Sequence, residues 1–228
     1  MTRHLGETTW TDHWAPTRRP LLVVPVGSCE QHGPHLPLDT DTRIASALAE
    51  GLAHSYDEGD IVIAPALTIS ASGEHASFPG TLSLGTEVFT QVLVELVRSA
   101  DWTAGVVLVN GHGGNRKAVH DAVRLLQTEQ RRVLPWWPSV PGGDAHAGDT
   151  ETSIMLAIAP HMVRMDSAEA GATAPFSELV DQITAGGIRA VSKNGVLGDP
   201  TRASAAHGRN MLTRLSLDLL AAVDDWWQ

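Results

Sequence analysis

Glu30 and His32 stand two positions apart in the segment GSCEQHGPHLPLDTD, and Asp41 follows in the same stretch. In extended chain, side chains two positions apart point to the same side. Carboxylate oxygen and imidazole nitrogen are ligands that suit Zn²⁺, Mn²⁺ or Fe²⁺, and a carboxylate such as Asp41 can bridge two cations. The same residues also read as a polar loop and a helix cap, and spacing alone leaves both readings open. His112 lies in Asn110-Gly-His-Gly-Gly-Asn115, where glycines let the backbone turn sharply and approach a ligand. A Gly-rich turn with an incidental histidine, or a phosphate cradle ahead of a helix, are the alternatives. The segment lacks the Lys-Ser/Thr of a P-loop and the spacing of a dinucleotide fingerprint. His146 and Glu151 supply a further imidazole and carboxylate in DAHAGDTETS, although Asp149 or Thr150 could simply cap a helix there. His75 and Phe78, in the loop SASGEHASFPG, are candidates to line a substrate pocket. Cys29 has no adjacent activating base, and no GxSxG elbow is present.

The elements that must position these residues alternate between strand and helix. Leu21–Val26, Ile61–Ala64 and Gly105–Val109 are short apolar runs rich in β-branched residues, as expected of strands buried on both faces. Arg132–Trp137 is a fourth candidate strand. Helical periodicity covers 42–54, 86–100 and 118–130, with 150–159, 176–185 and 203–227 further along. The clearest stripe is Val88/Phe89, Val92/Leu93 and Leu96/Val97. Strands alternating with helices imply βαβ units, hence an α/β fold with a mostly parallel sheet covered on both faces. No repeat or linker divides the chain, so one domain over residues 1–228 is expected. In such a sheet, function gathers beyond the carboxyl ends of the strands. The loops carrying Glu30, His112 and His146 follow the first, third and fourth predicted strands and are expected to open on one edge.

The bulk composition narrows the class. The chain has 228 residues, 43% hydrophobic and 18% charged, which is ordinary for a globular protein. Its formal net charge is −10, opposite in sign to what nucleic acid or an anionic membrane would attract. One cysteine permits no internal disulfide, and no apolar run approaches a membrane span or a signal core. A cytoplasmic protein is therefore expected. The tryptophan pairs at 136–137 and 226–227 are expected in core packing or a subunit interface.

Five segments taken in order, VPVGSCEQHGPHLPLDTDTRIA, EHASFPGTLSLG, VNGHGGN, HAGDTETSIML and GVLGDPTRASAAHG, resemble the creatininase family of metal-dependent amidohydrolases. The resemblance implies a three-layer α/β/α domain, assembly as a homo-oligomer, and two divalent metals per subunit (Fe²⁺ or Zn²⁺, with Mn²⁺ as an option). It implies that Glu30, Asp41 and His112 hold one ion, and that His32 with the bridging Asp41 serves the second. Creatininase adds a glutamate two residues after the histidine of the NGH motif. Here that position is Gly114, a departure that makes creatinine a poor substrate and leaves Glu151 to complete the second ion.

Two ions sharing carboxylates activate a water near neutral pH, with His146 and Glu151 expected to handle protons around the amide. Within the family, the LGETTW start and the GSCEQHGPHLPLDTD wording look most like members that trim a modified precursor peptide, releasing a C-terminal Val-Tyr dipeptide. The rival expectations are a cyclic-amide hydrolase, a formamide hydrolase acting on a pyrimidine precursor, and an inactive scaffold of the same fold.

Overall fold

A computed structural model describes residues 3–13, 19–56 and 60–227; Met1, Thr2 and Trp14 of the N-terminal segment lie outside them. Its centre is a parallel sheet of β1 (Arg3–His4), β2 (Leu21–Val26), β3 (Ile61–Ile63), β4 (Gly105–Asn110) and β5 (Val133–Trp136), in the order β1-β3-β2-β4-β5. The four predicted strands are present within a residue or so of their expected ends. The two-residue β1 is an addition, too short to carry a period, that pairs with β3 through Arg3 opposite Val62 and His4 opposite Ile63.

Alternation along each strand divides the apolar side chains between two cores. Leu21, Val23, Ile61, Ile63, Val107 and Val109 face one core with α1 (Thr40–His54), α4 (Asp149–Ile158) and α6 (Ala205–Trp227). Leu22, Val24, Val62, Val106 and Leu108 face the other with α2 (Thr86–Ser99) and α3 (Arg116–Thr128). The result is three layers, as expected of strands apolar on both faces. A further helix, α5 (Phe176–Gly186), packs with Leu179 and Ile183 on Ile188 and Leu197 in a separate small apolar cluster.

Register places the site. Val26 of β2 lies opposite Asn110 of β4, and Val109 opposite Trp136 of β5. The chain therefore leaves three neighbouring strands at nearly one level, and residues 27–39, 111–115 and 137–148 emerge on the same edge. Trp136 is buried and donates from Nε1 to Asp218 Oδ2 at 3.1 Å, while Arg116 and Arg132 stack on Trp137 and Trp226. Among the described residues, no helix is long and apolar enough to cross a membrane.

At three of the helix starts a local feature accounts for the departure from the periodicity. The first helix begins at Thr40, so Asp41 sits inside its first turn rather than ahead of it as a cap. A 3₁₀ turn over Gly113–Asn115 runs directly into α3, which therefore starts at Arg116. At α4, neither Asp149 nor Thr150 caps the helix. The Asp144 carboxylate does, accepting from the backbone N–H of Asp149 and, at 3.0 Å, of Thr150. That satisfies donors which the helix cannot satisfy itself.

Candidate metal centre

The first turn of α1 is pressed against the strand ends. A Cβ at Gly111 would come within 2.5 Å of the Asp41 carbonyl oxygen, so only glycine allows this approach. The approach brings Asp41 between the loops that follow β2 and β4. His32 Nε2 lies 3.0 Å from Asp41 Oδ1, and His112 Nδ1 lies 3.1 Å from Asp41 Oδ2. Ser28 Oγ donates to Asp41 Oδ2 at 2.8 Å. Glu30 stands beside them, with Oε2 3.1 Å from His112 Nε2 and Oε1 3.2 Å from His75 Nε2. Glu151 Oε2 closes the far side 3.8 Å from His32 Nε2, and accepts from the Ala147 N–H at 2.6 Å. Ala147 adopts the left-handed conformation at φ 53° to present that N–H.

Glu30, His32, Asp41, His75, His112 and His146 are all buried. Three sets of side chains each bring their donor atoms within 4.8 Å of one another: Glu30, Asp41 and His112; His32, Asp41 and Glu151; and Glu30, His32 and His146. Asp41 belongs to the first two, the arrangement of a bridging carboxylate.

The electrostatics test whether cations fit here. Both oxygens of Glu30 are buried without a hydrogen-bond partner, a costly state for a carboxylate. Burial pushes the Glu30 carboxyl up to about 8, against the pull of His112. Burial also opposes charge on His32, but Asp41 beside it, with Glu151 and Glu30, outweighs burial and raises it to about 10. The carboxylates of Glu30 and Asp41 overcome burial at His112 in the same way, again to about 10. Asp41 is held well below the usual carboxylate range, because the two imidazoles outweigh its desolvation. A dry cluster of carboxylates thus draws positive charge onto its neighbours. Divalent ions would supply that charge and the partners Glu30 lacks, so the donor set fits them.

His75 and His146 behave oppositely. Burial, with the charged imidazoles nearby, lowers His75 to about 3 and His146 well below its usual value. Both rings are neutral. His146 Nε2 donates to the Gln31 carbonyl oxygen at 2.9 Å, which leaves Nδ1 as its basic atom, 3.9 Å from Glu30 Oε1. Burial pushes the Glu151 carboxyl up to about 7.

A cleft of about 590 Å³ opens over the cluster. Asp41, Glu74, His75, His112, His146 and Glu151 form its polar side, and Phe176, Val180, Ile183, Ile188 and Leu197 its apolar wall. His75, read from the sequence as a pocket residue, does line the cleft and also reaches Glu30. Phe78 does not line it; this ring packs behind the wall on the Leu179, Ile183, Ile188 and Leu197 cluster. Residues not singled out in the sequence also contribute. Gln31 Nε2 contacts His75 Nδ1 at 2.9 Å and donates to the Gly195 carbonyl oxygen at 3.0 Å. Glu74 lies 3.5 Å from His112 Nε2. Glu74 adjoins His75 in sequence, and that adjacency is its local signal. Nothing local marks Gln31 or the wall supplied by α5.

A parallel α/β sheet with a buried carboxylate–imidazole cluster at its carboxyl edge is an arrangement suited to metal-assisted hydrolysis. Residues 6–223 match the creatininase family model, described as creatinine amidohydrolase, and the chain belongs to this family. It is 51% identical over 215 residues to the mycofactocin precursor peptide peptidase of Mycolicibacterium smegmatis, covering 92% of this chain and 87% of that one. Its fold superposes on manganese creatininase with a TM-score of 0.83 at 24% identity, over 99% of both chains. A mutant creatininase of Zn-Zn type gives 0.82, again at 24% identity and 99% of both chains.

Proposed function

We propose that this hydrolase cleaves a peptide amide bond near the carboxyl end of a mycofactocin precursor peptide, releasing the C-terminal Val-Tyr dipeptide. The carrying observation is the buried, unpartnered Glu30 carboxylate at the floor of a cleft with one polar and one apolar side. The similarity to a mycofactocin precursor peptide peptidase supports the substrate.

Glu30, Asp41 and His112 would hold one divalent ion, and His32, Asp41 and Glu151 a second. The carboxylate and imidazole donors suit Fe²⁺ or Zn²⁺, with Mn²⁺ as a further option. Bound there, such ions activate a water and polarise an amide carbonyl. The protein's own groups manage position and protons. Gln31 holds His75 through its side-chain amide and His146 through its backbone carbonyl. Glu151, beside the ion it would hold, would accept the proton released by the attacking water. His146 would relay that proton through its Nδ1 side to the departing amine. Ile183, Ile188 and their neighbours bind apolar side chains of the peptide and exclude water from it, with Phe78 backing that wall. The family resemblance further supports assembly as a homo-oligomer.

Side-by-side assays of the modified precursor peptide, creatinine and a formylamino-pyrimidine test the substrate. Dipeptide release from the first, with no turnover of the others, is the expected result. Turnover of creatinine or the formamide with an untouched peptide would refute it.

A further inference from the structure

The orientation of His112 is set from its cleft edge. Its Nε2–H donates to the Ala71 carbonyl oxygen at 3.0 Å, and a carbonyl can only accept. Glu30 Oε2 is as near to Nε2, at 3.1 Å, yet forms no hydrogen bond with it. With Nε2–H committed to that carbonyl, Nδ1, 3.1 Å from Asp41 Oδ2, is the ring atom that would exchange its proton for an ion. On the Nε2 side stands one more acidic group, Glu74, whose Oε1 is 3.5 Å away. Glu74 belongs to none of the three donor sets.

Gly114 explains how Glu74 gets there. A Cβ at this position would collide with both Glu74 Oε1 and His112 Nε2, and would lie 2.7 Å from the Ala71 carbonyl oxygen. Each of these three groups borders the same small volume, which a side chain at 114 would fill. Glycine is therefore required for the carboxylate, the imidazole edge and the carbonyl to meet.

We propose that Glu74 is a positioning residue of the metal centre: with the Ala71 carbonyl it holds His112 so that Nδ1 faces the ion beside Asp41. This rests on the metal reading of the site above. A carboxylate on the far nitrogen of a ligating histidine fixes its tautomer and raises its basicity, and removing such a partner costs about 10- to 100-fold in metal affinity.

The test is chelator-competition titration of Zn²⁺ into wild type, Glu74→Gln, Glu74→Ala and Gly114→Ala, with thermal melts of the apoproteins alongside. In Glu74→Ala one of two ions should bind about 10- to 100-fold more weakly, while the other ion and the apoprotein melting temperature hold. Glu74→Gln, which keeps an acceptor oxygen, should lose less, and Gly114→Ala should weaken the same ion. If Glu74→Ala binds both ions as wild type does, the proposal is overturned. Normal affinity combined with collapsed turnover also overturns it, since Glu74 would then act on substrate. A wild-type chain that binds no Zn²⁺ would instead refute the metal reading itself.

Discussion

His32 Nε2 and Asp41 Oδ1 stand 3.0 Å apart, both buried, although one comes from the loop after β2 and the other from the first turn of α1. Asp41 reaches His112 with its second oxygen, so one carboxylate joins two loops of the sheet edge. Asp41→Asn keeps the shape and removes the charge. It should lower bound metal below two ions per chain and reduce peptide turnover by at least about 100-fold. Elemental analysis beside a rate assay measures both. Two tightly bound ions in the variant would rule out a bridging Asp41.

His146→Ala separates proton handling from metal binding. His146 is neutral, with Nδ1 3.9 Å from Glu30 Oε1. Its loss should cost about 10²- to 10⁴-fold in kcat and leave metal content unchanged. A fall in metal content would make His146 a ligand instead.

Gly111→Ala should act through the first turn of α1. The added Cβ must push the Asp41 carbonyl from 2.5 Å, moving the first turn of α1. Overpacking of this kind costs about 1–3 kcal/mol, or roughly 2–4 °C in Tm per kcal/mol for a chain of this size. Calorimetry should show that drop, accompanied by weaker metal binding. An unchanged melting curve would mean the helix relaxes freely.

His35 should make stability depend on pH. It is buried, its Nε2 contacts Thr152 Oγ1 at 2.8 Å, and its Nδ1 has no partner. Burial, with the nearby His32 charge, lowers it to about 4. The unfolded chain takes up this proton below about 6.5, while the folded chain does so only near 4. The His35 contribution is therefore whole above pH 6.5 and is lost progressively as pH falls towards 4, by roughly 2–3 kcal/mol in all. Denaturant titrations from pH 7 to 4 should show this slope in wild type and a shallower one in His35→Gln. Equal slopes would assign the acid sensitivity elsewhere.

The strand runs Leu21–Val26 and Gly105–Asn110 were legible because strands buried on both faces are continuously apolar. The layered fold followed from their alternation with periodic helices. The edge carrying Glu30, His112 and His146 followed from parallel strand order, since parallel neighbours end at the same side. Other features were not legible, for physical reasons. β1 pairs only two residues and has no period. Asp144 caps α4 from five residues ahead of it, beyond the usual capping distance. The cleft wall of Val180 and Ile183 comes from a helix remote in sequence, and Phe78 packs behind that wall rather than within the cleft. Glu74 adjoins His75 in sequence, but its place against His112 depends on the volume left open at Gly114.

The most direct measurement is cleavage of the modified precursor peptide by the wild-type chain before and after chelation, followed by graded return of Fe²⁺ or Zn²⁺. Release of Val-Tyr should vanish with the metal and recover at about two equivalents per chain, as two sites sharing Asp41 require. Full release by the chelated, metal-free protein would contradict the account.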